Sequence, residues 1–290
     1  MGEGHAASKA GIDRRRFIGR GGAIAAGLGL SSLPLRAQRP GESLRILEER
    51  DTQFGRIAAV ELGRKRYLAY GPGRHRVYQS VIDLDRPLEL EAPYTRLMML
   101  GAVYARQLQR MVQVGVGAGN MAGYAIRTFP EAEVHAIDID RDIVALGEKY
   151  FGLAPHPRLH LHIEDGRRWL ERAGERFDVV MLDAYDDKSI PPPLMEPAFF
   201  RTVAQRLAPG GVLMQNVYVP IVDTQRLLAA VRASFTQVDV YKTGESAVLA
   251  CHQGPARPAR QLARRASELD LALRPAHSFV ALLESRARHL

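Results

Sequence analysis

The stretch from Val112 to Val217 decides the fold, because it repeats one local pattern several times. It reads VQVGVGAGN at 112–120, VHAIDID at 134–140, IEDGRRWL at 163–170, FDVVMLDAYDD at 177–187 and LAPGGVLMQNV at 207–217. Each apolar run has the composition of a buried strand, and each is linked to the next by a helical segment. Alternating strands and helices over this distance predict a parallel, doubly wound sheet.

Glycines and an acidic residue stand at the ends of the first two predicted strands. Gly115, Gly117 and Gly119 directly follow the first strand, where glycine lets the backbone turn sharply and approach a ligand closely. Asp138 ends the second strand, where a carboxylate can accept hydrogen bonds from both ribose hydroxyls of a nucleoside. An NAD site is disfavoured, because the third glycine of that motif is replaced by Asn120.

The next two predicted strands also end on acidic residues. Asp165-Gly166 ends the third strand and Asp183 ends the fourth. Open α/β sheets bind ligands in the crevice at the carboxyl ends of their strands. We therefore predict a Rossmann-like, nucleoside-binding domain.

The first forty residues differ in composition from the rest of the chain. Arg14-Arg15-Arg16-Phe17-Ile18 precedes an apolar, glycine- and alanine-rich run over 21–33, and Ala37 offers a small residue for cleavage. A basic segment, an apolar segment and a cleavage site predict a signal peptide over 1–37, and the arginine pair predicts twin-arginine export. The alternatives are a disordered basic arm or a membrane anchor, although the apolar run is short for a bilayer span.

Charge and composition restrict the possible ligands. Residues 1–37 hold six basic and two acidic side chains, so +4 of the formal +8 remains on the exported part. We find no basic helix interleaved with aromatic residues and no zinc-finger spacing, and we predict no nucleic-acid partner. Cys251 is the only cysteine, which excludes an intrachain disulfide. His135, His160 and His162 alternate near strands, and from the sequence alone we assign no metal.

Four short strands are predicted before the main sheet, separated by turn signals. They fall at 44–49, 55–62, 65–70 and 76–82. Such a small antiparallel domain is not expected to be stable alone, so it should pack on the larger domain or on a second subunit. The predicted organisation is a signal peptide at 1–37, a small β domain at 38–84, the Rossmann-like domain at 85–253 and a basic, partly helical tail at 254–290.

Several motifs match the pattern of a known family across the junction of the two predicted domains. Phe54-Gly55-Arg56-Ile57 resembles an early F/Y-G-x-V strand, and Gln79 resembles a glutamine that follows an L-D-G turn, although that turn itself is absent. Glu91 and Tyr94 match an E-x-x-Y motif before the first long helix, which we predict over 93–107.

The larger domain carries the rest of the match. The glycine loop at 114–119 takes the place of G-G-G-D-G-G, Asp138 stands at a ribose-binding acidic position, and Asp165-Gly166 matches D-A or D-G. Asp183-Ala184-Tyr185-Asp186 matches D-S-S-D or D-L-T-D. On these motifs, residues 44–251 resemble the polyamine aminopropyltransferase (spermidine synthase) family, which implies a class I methyltransferase-type sheet preceded by a small antiparallel β domain.

The resemblance implies an activity and a set of site residues. In that family an amine attacks decarboxylated S-adenosylmethionine, and methylthioadenosine leaves. By resemblance Asp183 is the base that takes the proton, Asp186 holds the charge of the diamine, Tyr94 orients the amine, and Gln79 contacts the substrate. The nucleoside contacts fall on Gly115, Gly117, Gly119, Asp138, Asp165 and Gly166.

Three departures from the family pattern concern the amine-binding part of the site. Ala118 replaces the aspartate that holds the aminopropyl amine of the donor, and Leu44 stands where a glutamine contacts the donor. Thr95-Arg96 replaces a pair whose glutamate binds the far amine of the acceptor. Each lost contact to a charged group costs about 1.5–3 kcal/mol unless another group compensates.

Two alternatives to aminopropyl transfer therefore stay open. An S-adenosylmethionine-dependent methyltransferase needs no acid for an aminopropyl amine, which suits Ala118. A non-catalytic, exported protein that binds a polyamine or nucleoside suits an export signal, because the adenosyl donor is made in the cytoplasm. In every case we expect no tightly bound cofactor, no stable membrane span after signal cleavage, a periplasmic or secreted location and, from the family, a homodimer.

Overall fold

Two sheets build the computed structural model, which describes residues 43–73, 76–186 and 189–290. The predicted signal peptide lies outside the described residues. The smaller sheet is antiparallel in the order β1-β2-β3-β4, and its strands are β1 (Arg45–Thr52), β2 (Gly55–Leu62), β3 (Lys65–Tyr70) and β4 (Val77–Asp83). All four strands predicted before the main sheet are therefore present.

Strand β2 is buried on both faces. Ala58 and Val60 join the core of the larger domain, whereas Ile57 and Ala59 pack in a second cluster. That second cluster includes Ile143 of helix α4 (Arg141–Tyr150). The small sheet is thus inserted between layers of the larger domain, as expected for a unit too small to be stable alone.

The larger sheet has eight strands in the order β12-β10-β11-β9-β8-β5-β6-β7. Its strands are β5 (Arg110–Val114), β6 (Glu133–Asp138), β7 (Leu159–Ile163), β8 (Phe177–Leu182), β9 (Leu207–Tyr218), β10 (Gln237–Thr243), β11 (Ser246–His252) and β12 (Arg286–Ala287). Strands β5 to β9 are parallel, and β11, β10 and β12 extend the sheet in antiparallel fashion. The strand order reverses between β5 and β8, which creates the crevice where ligands of such folds bind.

The helices complete a doubly wound arrangement and confirm the predicted fold class. Besides α4 they are α1 (Pro93–Met98), α2 (Gly101–Tyr104), α3 (Asn120–Thr128), α5 (Gly166–Arg172), α6 (Pro197–Arg206), α7 (Thr224–Arg232), α8 (Ala259–Leu273) and α9 (Phe279–Leu283). A single 3-10 turn over Pro192–Met195 precedes α6. None of the helices in the described ranges is both long and apolar enough to span a bilayer.

The single helix predicted over 93–107 is wrong, because the chain forms α1 and α2 with a break between them. A side chain at Gly101 would place its Cβ 2.6 Å from Cγ1 of Val179, so the backbone of α2 lies directly against the sheet. Ala105 then adopts an extended conformation and ends α2. Close packing on β8 therefore overrides the helical periodicity of the sequence.

The tail at 254–290 does more than form a solvated basic face. Leu262, Ala266 and Leu269 of α8 are buried against the main core, while Arg260 and Arg264 lie on its exposed side. After α9, strand β12 pairs with β10 at the edge of the sheet. The segment thus packs on the main core and adds an edge strand to the larger sheet.

Polar contacts fasten the small sheet to the region of the crevice. The Thr52 hydroxyl donates to Oδ2 of Asp140 at 2.8 Å, and the Asn120 side-chain amide donates to the Val81 carbonyl at 2.8 Å. The amide of Ala118 donates to Oγ of Ser80 at 3.2 Å. The glycine loop therefore lies between the two sheets.

Candidate active site

The glycine loop after β5 adopts the sharp turn that the sequence predicts. Gly115, Gly117 and Gly119 have φ values of 87°, 55° and 83°, in a region that side chains other than glycine rarely adopt. A Cβ on Gly115 would lie 2.2 Å from the carbonyl oxygen of Asp183. The loop thus passes directly over the chain that leaves β8.

Asp138 holds this loop through its backbone amides. Its Oδ2 accepts hydrogen bonds from the amides of Val116 at 2.8 Å and Gly117 at 3.3 Å, and its Oδ1 accepts one from Asp140 at 3.0 Å. Burial raises the pKa of Asp138, and these three amides oppose that shift. Because a carboxylate has about four acceptor positions, roughly one remains for a ribose hydroxyl unless the loop moves.

Asp165 and Gly166 lie at the end of the next strand. Oδ1 of Asp165 accepts the amide of Arg168 at 2.9 Å and so caps α5. A Cβ on Gly166 would approach Cγ1 of Val114 to 2.3 Å, so α5 begins in contact with β5. Asp165 is near the other strand ends, but its carboxylate is directed into a helix cap rather than into contact with Asp138 or Asp183.

Asp183 occupies the centre of the site at the end of β8. Its amide donates to the Val114 carbonyl at 2.8 Å, which fixes its backbone beside the glycine loop. The Tyr94 hydroxyl donates to Oδ2 at 3.0 Å, and the side-chain amide of Asn216 donates to Oδ1 at 2.8 Å. One donor thus faces each carboxylate oxygen, and both donors come from buried residues.

The Asp183 carboxyl has an acidity suited to proton transfer near neutral pH. Burial raises its pKa to about 7, the hydrogen bonds from Asn216 and Tyr94 limit the rise, and the charge of Asp138 adds to it. The same surroundings raise the pKa of Tyr94 well above its usual value, so that this hydroxyl remains a donor. A general base is most effective when its pKa lies near the working pH.

The remaining predicted substrate residues, Asp186 and Gln79, lie on the loop after β8 and on β4. Oδ1 of Asp186 accepts the amide of Ser189 at 2.8 Å, so this carboxylate takes part in shaping its own loop. Gln79 lies at a bulge in β4, where the pairing with β3 shifts between Leu68 and Ala69. Its neighbour Ser80, rather than Gln79, contacts the glycine loop.

The three departures from the family pattern have clear local surroundings. Ala118 is fully buried in an apolar cluster with Ile143. The Thr95 hydroxyl donates to the Ala92 carbonyl at 2.6 Å, and Arg96 donates to the carbonyl of Leu90 at 2.6 Å. These side chains stabilise the start of α1 instead of facing an acceptor. Leu44 lies exposed ahead of β1.

Two buried amides belong to the site although the sequence analysis did not identify them. Asn216 binds Asp183, and the side chain of Gln113 donates to the Gly115 carbonyl at 2.7 Å. Both are fully buried in strands, and the side-chain oxygen of each has no protein partner within the described ranges. Their signal was available, since a polar residue in an apolar central strand is unusual and needs partners.

The geometry by itself defines a class of protein. A switch-point crevice, a glycine loop and carboxylates at successive strand ends are the features of a Rossmann-like domain of the class I methyltransferase type. Residues 92–243, more than half of the chain, match the family model for the spermine/spermidine synthase domain. The chain therefore belongs to that family, as the sequence motifs predicted.

Individual relatives agree with this family membership. The chain is 27% identical over 228 residues to a polyamine aminopropyltransferase of Neisseria meningitidis, covering 77% of this chain and 82% of that protein. It is 29% identical over 129 residues to the corresponding protein of Vibrio vulnificus, a match that spans 43% of each.

A solved structure supports the same fold. A spermidine synthase in complex with the transition-state analogue AdoDATO superposes with a TM-score of 0.69 at 14% identity, over 84% of this chain and 85% of that one. At this identity the likeness concerns the fold.

Proposed function

We propose that this protein transfers an aminopropyl group from decarboxylated S-adenosylmethionine to a diamine such as putrescine. The observation that carries the proposal is the Asp183 carboxyl, which has one hydrogen-bond donor on each oxygen and a pKa of about 7. Family membership supports the reaction class, and the relatives named above carry the same activity in their names.

The proposed reaction is a single displacement at carbon. The nitrogen of a neutral amine attacks the methylene carbon beside the donor's sulfonium, the carbon–sulfur bond breaks, and its electron pair stays on sulfur. Methylthioadenosine leaves as a neutral thioether. The proton lost by the amine passes to the Asp183 carboxylate and then to solvent, as general-base catalysis requires.

The other side chains take roles that follow from their positions. Tyr94 and Asn216 position the carboxylate of Asp183 through the hydrogen bonds described above. Asp186 supplies a negative charge for a cationic acceptor, and Gln79 contacts the substrate from β4. The glycine loop, Asp138 and Asp165-Gly166 form the nucleoside side of the crevice.

The test measures methylthioadenosine release by the protein without residues 1–37, supplied with the decarboxylated donor and putrescine. We expect turnover in the wild type and a loss of at least about 100-fold in Asp183→Asn, the size of a general-base contribution. Asp223→Asn is the matched control, because Asp223 caps α7 outside the site and asparagine is also a good cap. Equal turnover in Asp183→Asn and wild type would refute the proposed base.

Methyl transfer from S-adenosylmethionine is a second candidate, which the fully buried Ala118 favours. An apolar side chain there offers no partner to the donor's aminopropyl amine. Methyl transfer predicts that S-adenosylmethionine supports turnover and releases S-adenosylhomocysteine, whereas the decarboxylated donor does not. Saturable binding of methylthioadenosine without turnover of either donor would instead support a non-catalytic binding protein.

We also propose twin-arginine export to the periplasm or beyond, and a homodimeric state. The support for export is the arginine pair and apolar run of the N-terminal sequence. Replacing Arg14 and Arg15 by lysine should retain an otherwise exported protein in the cytoplasm, as cell fractionation would detect. Sedimentation of the mature protein tests the dimer.

A further inference from the structure

A cluster of three histidines lies at the β6–β7 edge of the larger sheet, apart from the candidate active site. His135 on β6 is paired in register with His160 on β7, and His162 follows two residues later. Because residues two apart on a strand face the same side, all three imidazoles project from one face of the sheet. The tertiary structure therefore brings together three histidines to which the sequence alone assigned no metal.

The cluster is close enough to share an ion. One potential ligand atom from each of Glu133, His135 and His160 lies within 4.8 Å of the other two. Nδ1 of His135 is 3.1 Å from Nε2 of His162, and Nε2 of His135 is 3.8 Å from a carboxylate oxygen of Glu175. Two imidazoles and the Glu133 carboxylate thus lie near one another, with Glu175 and His162 adjacent to the His135 ring.

We propose that Glu133, His135 and His160 form a binding site for a transition-metal ion, with Glu175 as a further carboxylate ligand. Imidazole nitrogen together with carboxylate oxygen is a donor set that suits Zn²⁺ and neighbouring divalent ions. His162 contacts Nδ1 of the His135 ring. A partner on the nitrogen that does not bind the metal fixes the orientation of a ligating histidine.

The required rearrangement is small. Ligand atoms around a tetrahedral Zn²⁺ lie about 2.0–2.2 Å from the ion and therefore about 3.4 Å from each other. The observed separations are within 4.8 Å, so the ligand atoms need to approach one another by at most about 1.4 Å. Glu133 is exposed and Glu175 is about half exposed, so these carboxylates can turn toward an ion at little cost.

The His135 ring is held in place by aromatic neighbours. Trp169 and Phe177 pack against this ring and restrict its rotation. A neutral imidazole held in this way presents a lone pair for coordination.

The cluster borders a solvent-accessible depression through which an ion can enter. A cavity of about 330 Å³ is lined by His135, Trp169, Arg172, Ala173, Gly174 and Glu175. Arg172 is the cation on this surface, and it is engaged by an ion pair with Glu164. Its charge is thereby balanced locally, and it does not oppose the bound ion strongly.

The site is tested by titrating Zn²⁺ into the protein without residues 1–37, prepared without a histidine tag and treated with a chelator. Calorimetry should show one ion per chain with a Kd below about 10 µM, which corresponds to more than about 6.8 kcal/mol of binding free energy. His160→Gln and Glu133→Gln should each raise the Kd at least about tenfold. Mg²⁺ should not compete, since it prefers oxygen-only coordination.

His289→Gln is the matched control, because His289 is exposed near the C terminus. The affinity of this variant for Zn²⁺ should equal that of the wild type. Far-UV circular dichroism of each variant without zinc checks the fold, and Glu133→Gln changes only an exposed side chain. Absence of saturable binding up to about 100 µM Zn²⁺, or equal binding by His160→Gln and His289→Gln, would overturn the proposal. Zinc binding does not depend on aminopropyl transfer, so either result leaves the proposed function to its own test.

Discussion

In the proposed reaction the crevice has a donor side, formed by the glycine loop, Asp138 and Asp165-Gly166, and an acceptor side, formed by Thr95, Arg96 and Asp186. The two sides are built by different means. On the donor side, backbone hydrogen bonds join adjacent strand ends: the amide of Gly115 to the carbonyl of Ile137 at 2.9 Å, and the amide of Glu164 to the carbonyl of Asp138 at 2.8 Å. On the acceptor side, the side chains of Thr95, Arg96 and Asp186 bind nearby backbone groups of their own segments.

This difference explains why the part of the site built from backbone keeps the family pattern, whereas the departures at Leu44, Ala118 and Thr95-Arg96 all fall on side chains that would contact a substrate. The donor side depends on close backbone approach, which glycines at fixed positions must allow. The acceptor side depends on which side chains protrude. The side chains of Thr95 and Arg96 bind backbone carbonyls and stabilise the start of α1. Donor binding should therefore respond to changes in backbone geometry, and acceptor binding should respond to single charges.

The largest effect is expected at the donor side, from Gly115→Ala. The added Cβ would lie 2.2 Å from the Asp183 carbonyl oxygen at a φ of 87°, combining left-handed strain of about 1–2 kcal/mol with overpacking of about 1–3 kcal/mol. We expect a loss of about 2–5 kcal/mol in the free energy of unfolding and no detectable donor binding. Urea denaturation and calorimetry measure these two quantities.

Gly254→Ala separates the two contributions, because Gly254 has a φ of 86° and no atom within 4 Å of an added Cβ. It should lose only the strain energy of about 1–2 kcal/mol. Equal losses in the two variants would show that close packing over Asp183 is unimportant.

Asp183→Asn should change how stability depends on pH. The folded-state pKa of about 7 lies above the ordinary value of 3.8, so between these values the folded protein binds more protons than the unfolded chain. This raised pKa makes the wild type lose stability as pH rises from about 4 to about 7, and asparagine removes that loss. Relative to the wild type, the variant should gain about 4 kcal/mol between pH 4 and pH 8 in urea denaturation. A difference that is constant with pH would mean that Asp183 titrates normally.

Tyr94→Phe should lower kcat/KM by about tenfold, the value of one hydrogen bond to a charged group. The Tyr94 hydroxyl lowers the pKa of Asp183, so its removal should move the acidic limb of the pH–rate profile to higher pH. Tyr124→Phe, in α3, is the control and should leave both quantities unchanged. A fall in kcat/KM with an unmoved acidic limb would argue for a purely steric role.

The smallest effect is expected at the acceptor side, from Asp186→Asn. Asparagine retains the carbonyl oxygen that accepts the Ser189 amide, so the loop should keep its shape while one negative charge is lost. The KM for the diamine should rise about three- to tenfold, as for a partly exposed charge, and the effect should shrink at high salt. An increase in the KM for the donor instead would place Asp186 on the other side of the crevice.

The candidate site shows which parts of such a structure a sequence reveals. Gly115, Asp138 and Asp183 were identified because residues at strand ends follow a fixed order along the chain. Asn216 was not, since its contact with Asp183 joins residues 33 positions apart. The break between α1 and α2 was missed for a related reason, because it accompanies a tertiary contact, the approach of Gly101 to Val179.

By itself the sequence determined the alternation of strands and helices, the turn at the glycine loop and the acidic strand ends, because each depends on local propensity and spacing. The tertiary structure alone decided that three histidines meet at one sheet edge, that Asn216 and Tyr94 share the carboxylate of Asp183, and that strand β2 is buried on both faces. These features arise from strand order and packing, which bring distant segments together and leave no periodic signal in the chain.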